Sequence, residues 1–262
     1  MFIGIIYAIV IFLACVIGAI VGLGGGVFIR PIFEAIGEHS NANIAFFSST
    51  AILSMAIVST AKKMKDGLAV KVKMAALISI GAVVGGMLGD ILRQQLLAAL
   101  YDESSLQLIQ NIVTVLVLAA SIIATIKNNL RCEIKSQVVL PIIGIGLGTV
   151  ASFLAIGGGP INVPILMIFF GLPIKTATTY SIIIIFFSHL SRLITMIVSD
   201  GIGHFDTRLL PFIIIAAMLG GFLGANLSRV FSEGVVKKLF IAALSVVIIL
   251  NIFNGATVLW GS

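Results

Sequence analysis

Charge is what this sequence has least of. Its 262 residues include 16 Lys or Arg and 10 Asp or Glu, so 10% are charged, where a soluble domain carries about 25%. So few charges cannot wet the surface of a chain this size, which excludes a soluble globular protein. Cysteine is nearly absent as well. Cys15 lies in an apolar run and Cys132 in a basic loop, too few and too far apart for a disulfide framework or a zinc site. No G-x-x-x-x-G-K-[ST] loop, H-E-x-x-H helix or G-x-S-x-G elbow is present. The machinery of an ATP-driven pump or membrane hydrolase is therefore missing, and no enzyme activity, metal or cofactor is expected. No Asp or Glu lies deep in an apolar run, since Glu34, Asp90 and Asp200 sit at ends. That argues against a carboxylate proton relay and leaves His189 as the buried candidate for proton coupling.

What is there is apolar: 60% of the residues are hydrophobic. Apolar runs cover about 2–22, 27–37, 42–61, 74–92, 105–126, 138–156, 160–172, 175–198, 208–228 and 236–254. At about 20 residues per crossing the chain allows roughly eight membrane segments and leaves no room for an extramembrane domain. The sequence predicts an all-α integral membrane protein, multi-pass in the cell membrane and surrounded by lipid. The net charge of +6 is scattered in short clusters, without the basic face or aromatic platform of a nucleic-acid binder. The first run has no basic residues ahead of it and outlasts a signal-peptide core, so it reads as a retained helix. A homodimer is compatible with the sequence but not demanded by it.

Two of the runs, 27–37 and 160–172, are half-length, and each follows a triple glycine, Gly24-Gly25-Gly26 and Gly157-Gly158-Gly159. They read as arms of broken or re-entrant helices. GGGVFIRPIF at residue 24 returns as GGGPINVPIL at residue 157, Lys65-Asp66-Gly67-Leu68 returns as Ser199-Asp200-Gly201-Ile202, and Gly85-Gly86-Met87-Leu88-Gly89 returns as Gly220-Gly221-Phe222-Leu223-Gly224. Two similar halves, 1–130 and 131–262, make up one membrane domain. Each is expected to hold a glycine-broken helix pair and about three transmembrane helices.

Loop charges orient the halves. Residues 62–73 carry Lys62, Lys63, Lys65, Lys71 and Lys73 against Asp66, and 127–137 and 229–238 are also basic; all three are placed in the cytoplasm. Residues 90–104 carry Asp90, Asp102 and Glu103 against Arg93, and 199–207 carry Asp200 and Asp206 with no Lys or Arg, so both are placed outside. Equivalent loops thus face opposite sides, which predicts inverted-topology repeats. This requires each broken pair to begin and end on one side, as a shallow hairpin or as two tilted crossings. A parallel repeat with an accidental charge pattern is the competing reading.

Three adjacent glycines cost a helix about 1 kcal/mol each, and their freed backbone groups need partners that lipid does not offer. The arm that follows points the N–H groups of its first turn at whatever fills the break, and two such ends near the midplane make an anion site. Close helix packing is the alternative use of these glycines. Gly81, Gly85 and Gly89, and Gly220 with Gly224, have the four-residue spacing of packing contacts, and Pro31 and Pro164 shape the arms. Thr178, Ser181, Ser188, Arg192, Thr195 and Ser199 recur at helical spacing and draw one polar stripe, with His189 at its edge. An intramembrane Arg192 points to a functional site, unless it snorkels outward or caps carbonyls; His189 binds or bridges helices. Arg30 adds positive charge after the first break, or pairs with Glu34 four residues on. Pro160, Asn162, Asn43, Ser48 and Ser49 complete the candidate substrate site, although short polar side chains often bond their own backbone.

The triple glycines with Pro31 and Pro164, each followed by a Ser-containing helix, an Asp-Gly loop and a G-G-x-x-G helix, resemble the TauE/SafE family of sulfite and sulfonate exporters over nearly the whole chain. The resemblance implies an inner-membrane carrier of small sulfur-containing anions such as sulfite, sulfoacetate or related organosulfonates, commonly assigned to export. It carries function to Gly24–Gly26 and Gly157–Gly159, and less directly to Ser48 and Ser181. Arg30 departs from the pattern, since Val163 holds its place in the second repeat. His189 and Arg192 have no counterparts in the first half, where Met55–Ser59 lie, so the cavity should be chemically asymmetric. A passive anion pathway and a non-transporting membrane partner remain as alternatives.

Overall fold

A computed structural model describes residues 2–67, 70–127, 134, 136–154 and 156–260. Leu68, Arg131, Cys132 and Lys135 of the loops above fall outside the described residues. The described chain is all helix and turn. The order is α1 (Phe2–Val21), α2 (Gly26–Ile36), α3 (Asn41–Lys65), α4 (Val72–Leu100) and α5 (Glu103–Lys127), then α6 (Val139–Phe153), α7 (Gly159–Phe170), α8 (Ile174–Asp200), α9 (Leu210–Val230) and α10 (Glu233–Trp260). A long or medium helix, a glycine break, a short helix and three long helices occur in that order twice.

Seven described helices are long and apolar enough to cross a membrane, α1, α3, α4, α5, α8, α9 and α10. α6 has 15 residues and at 1.5 Å per residue reaches only about 22 Å. α2, with 11 residues, and α7, with 12, are shorter still and cannot traverse a core about 30 Å thick.

Contacts between loops define two faces of the bundle. On one, Tyr7 Oη lies 3.0 Å from His39 Nδ1, and the Asp206 N–H donates to Asn43 Oδ1 at 2.8 Å. The start of α1, the end of α2, the start of α3 and the α8–α9 link therefore lie together. On the other, Asp66 Oδ1 lies 3.4 Å from Arg229 Nη1, Lys175 Nζ donates to the Arg229 carbonyl at 3.2 Å, and the Ile134 N–H donates to the Phe169 carbonyl at 2.7 Å. Here the end of α3 meets the end of α9, the start of α8, the approach to α6 and the end of α7. Each glycine-broken pair thus starts and ends at one face of the bundle, α1–α2 at the Tyr7–His39 face and α6–α7 at the Ile134–Phe169 face.

Small residues draw the helices together. A methyl at Gly85 would meet the backbone of Ile145, one at Gly81 that of Pro141, and one at Gly89 that of Thr149, so α4 runs parallel to α6 in near-backbone contact. Gly220 and Gly224 do the same for α9 against Phe12 and Val16 of α1. Without a hydrophobic force between helices in lipid, such close approach supplies the dispersion contact that holds them. The glycines read as packing positions are packing positions. Lys63, counted above as loop charge, is instead buried, and its Nζ donates to the Ala19 carbonyl at 2.8 Å. It closes a free carbonyl in the last turn of α1.

A second correction concerns residues 90–104. They do not form a loop from residue 90, because α4 continues unbroken to Leu100. Asp90 consequently projects from the side of a helix.

Candidate functional site

The two glycine breaks meet at the centre of the bundle. Gly24 (φ 82°), Gly25 (φ 74°), Gly157 (φ 72°) and Gly158 (φ 80°) all adopt left-handed backbone, which costs an L-residue roughly 1–2 kcal/mol. This turn reverses the chain and starts each short helix, with Gly25 and Gly158 as N-caps. A methyl on Gly159 would strike the backbone of Leu23, and one on Gly22 the backbone of Thr178. The breaks therefore pack on each other and on α8.

Beside the second break lies a cavity of about 490 Å3. Its walls come from α4, α6, α7 and α8. Gly157, Gly158 and Asn162 line its floor together with Ser188, His189 and Arg192. A smaller cavity of about 20 Å3 adjoins it between the breaks, lined by Gly26, Arg30, Ser48, Ser49, Gly157, His189 and Arg192. Most of the predicted site residues thus converge, from both halves of the sequence. Arg192 and Gly157 border both spaces.

Three groups make this floor suited to an anion. The first turn of α7 offers the positive end of a helix through its dipole, not through free N–H groups as expected, since Pro160 has none and the Ile161 and Asn162 N–H groups donate to the Gly158 carbonyl. Asn162, 1% exposed, has its side-chain oxygen buried without a hydrogen-bond partner. A buried unpaired amide costs about 1–3 kcal/mol, and because its two ends interchange by rotation, it can turn its NH2 toward a bound anion. Arg192 is half-buried, with no carboxylate within 4.0 Å among the described residues. It feels the charges of Arg30, Asp90 and Arg93.

Arg30 behaves differently. Its Nε donates to Glu34 Oε1 at 2.6 Å, so its charge is largely matched, although it still lines the smaller cavity. His189, 6% exposed, lies 3.2 Å from the Ser49 hydroxyl through Nδ1 and lines both cavities. It bridges α8 to α3 and also faces the site.

Other predicted residues are placed elsewhere. Asn43 sits at the exposed start of α3, bound to Ser40 and to the Asp206 N–H; it ties loops and does not line either cavity. Ser181 is buried and donates to the Gly22 carbonyl at 2.7 Å, pinning the first break. In the polar stripe of α8, Ser188, Thr195 and Ser199 each donate to a carbonyl four residues back, the local bond such side chains favour. Among the described residues, sequence reasoning missed Asp90, Arg93, Gln94 and Ser152 in the larger cavity. The signal was present, since Gly86, Asp90 and Gln94 share the four-residue spacing of Gly81, Gly85 and Gly89.

Comparison with known proteins agrees with this architecture. A family model described as sulfite exporter TauE/SafE matches residues 7–251. The "Probable membrane transporter protein YunE" of Bacillus subtilis (strain 168) is 24% identical over 242 residues, covering 83% of this chain and 85% of that protein. No solved structure is significantly similar to the chain. Two glycine-broken hairpins meeting inside a multi-pass membrane bundle, with a family match over nearly its whole length, make this chain a membrane transporter of the sulfite exporter TauE/SafE family.

Proposed function

We propose that the protein is a secondary transporter of small anions, with sulfite or an organosulfonate as substrate and export as its direction. The observation that carries this reading is Arg192, which has no carboxylate within 4.0 Å among the described residues, at the floor of a cavity beside the start of α7 and the unsatisfied Asn162. Low dielectric strengthens its attraction for an anion. A family match to sulfite exporters supports the sulfur-anion class.

The two halves work as inverted repeats with alternating access. Support comes from each broken pair starting and ending at a face of its own, and from the parallel pairing of α1 with α9 and of α6 with α4, the contact expected when the halves exchange roles. The face rich in Lys62, Lys65, Lys71, Lys175 and Arg229 is cytoplasmic under the positive-inside rule. In vesicles holding purified protein, labelled sulfite should show uptake stimulated by unlabelled sulfite on the far side, and Arg192→Gln should reduce it about tenfold or more while the protein stays folded. Equal flux in the variant, or flux without counterflow, overturns the carrier reading.

A further inference from the structure

The large cavity contains a carboxylate, which a site for simple anions does not need. Asp90 lies on its wall, and its Oδ1 accepts a 2.7 Å hydrogen bond from the Ser152 hydroxyl. Among the described residues no Lys or Arg nitrogen lies within 4.0 Å of it, although Arg93 lines the same cavity one turn away on α4. An ionised carboxylate accepts about four hydrogen bonds, so most of its capacity faces the cavity unused.

The hairpin adds a second, independent asymmetry. Ser152 belongs to the last turn of α6 (Val139–Phe153), the negative end of that helix, whereas Asn162 belongs to the first turn of α7 (Gly159–Phe170), the positive end of the next. The cavity therefore has two poles. Arg192, Asn162 and the start of α7 form a positive pole at the floor, and Asp90, Ser152 and the end of α6 form a negative pole on the wall. A purely anionic ligand gains from one and is repelled by the other.

We propose that this cavity recognises a zwitterion, a small acid anion carrying an ammonium group, with Asp90 and Ser152 as the residues that select for the amine. The anionic group sits against Arg192 and Asn162, and the ammonium donates to Asp90 and Ser152. Three N–H donors suit a carboxylate and a hydroxyl oxygen that share one side of the cavity. The about 490 Å3 available holds a two-carbon aminosulfonate with water to spare. This deepens the anion reading of the same site and rests on it.

The test compares 2-aminoethanesulfonate with ethanesulfonate, which lacks the amine, by titration calorimetry on the purified full-length protein. Wild type should bind the aminosulfonate about tenfold more tightly or better, the effect of one charge-assisted hydrogen bond. Asp90→Asn should erase that preference by weakening the aminosulfonate and strengthening ethanesulfonate. Ser152→Ala, a smaller change that keeps α4 intact, should narrow the preference in the same sense. Equal affinity of wild type for the two compounds, or a preference that survives in Asp90→Asn, overturns the zwitterion proposal. The anion reading then still stands if Arg192→Gln loses both compounds. Failure of wild type to bind either compound overturns both.

Discussion

His189 Nδ1 and the Ser49 hydroxyl lie 3.2 Å apart, 140 positions apart in the chain. Their contact joins α8 of the second half to α3 of the first at the wall shared by the two cavities. Ser49→Ala should leave a buried imidazole nitrogen unpaired, at a cost of about 1–3 kcal/mol, read as a lower unfolding temperature in detergent. His189→Gln, which keeps a hydrogen-bonding side chain, should retain more stability than His189→Leu. Equal stability of all three variants and wild type counts against a bridging role.

Packing of α4 on α6 gives a paired test. Gly85→Val should sharply reduce the yield of folded protein, because any Cβ there meets the Ile145 backbone, and overpacking costs about 1–3 kcal/mol or more. Gly86→Ala, one position along with nothing within 4 Å of its Cβ, should be silent. Thermal unfolding monitored by size-exclusion recovery separates the two, and a damaging Gly86→Ala would contradict the stated contact.

The glycine break has a backbone requirement of its own. Gly25 has φ 74° and its added methyl would lie 3.0 Å from the Ala14 carbonyl oxygen. Gly25→Ala is expected to cost about 1–2 kcal/mol from the left-handed conformation alone and to abolish counterflow. Gly37 has the same φ with open space around it, so Gly37→Asn, a residue tolerant of this backbone, should preserve flux.

Asp66 provides a pH test outside the membrane spans. The hydrogen bond from Lys62, reinforced by its charge and those of Arg229 and Lys65, holds the Asp66 carboxyl below the usual carboxylate range. A depressed folded-state pKa contributes stability that is present above the unfolded value, near 3.9, and is lost as pH falls through the folded value. The gap in unfolding temperature between wild type and Asp66→Asn should therefore be steady above about pH 5 and close on acidification below about pH 4. A gap that widens in acid has the wrong sign.

Topology is directly accessible to labelling. With Cys132→Ser as background, Glu38→Cys and Gly203→Cys should react with an impermeant maleimide in intact cells, whereas Lys65→Cys and Gly234→Cys should react only after permeabilisation. Labelling of all four from one side would rule out the opposed orientation of the halves.

Much of this was legible in the sequence because it follows from local chemistry. Scarcity of charge forces burial in lipid, a triple glycine cannot continue a helix, and a Gly-xxx-Gly spacing puts small residues on one helix face; none of these needs a partner to be read. Repetition of GGG, Asp-Gly and G-G-x-x-G revealed two halves, and a lone Arg192 in an apolar run pointed to a side chain that lines both cavities. What the sequence could not decide was which polar groups are already satisfied. Ser181 and Asn43 are consumed by Gly22 and Asp206, and Arg30 by Glu34, whereas Asn162 is left open. Nor could it tell that α4 runs ten residues past Asp90 and turns a supposed loop charge into a cavity wall. Those outcomes depend on which helices lie side by side, and that is set by backbone contact between segments far apart in the chain.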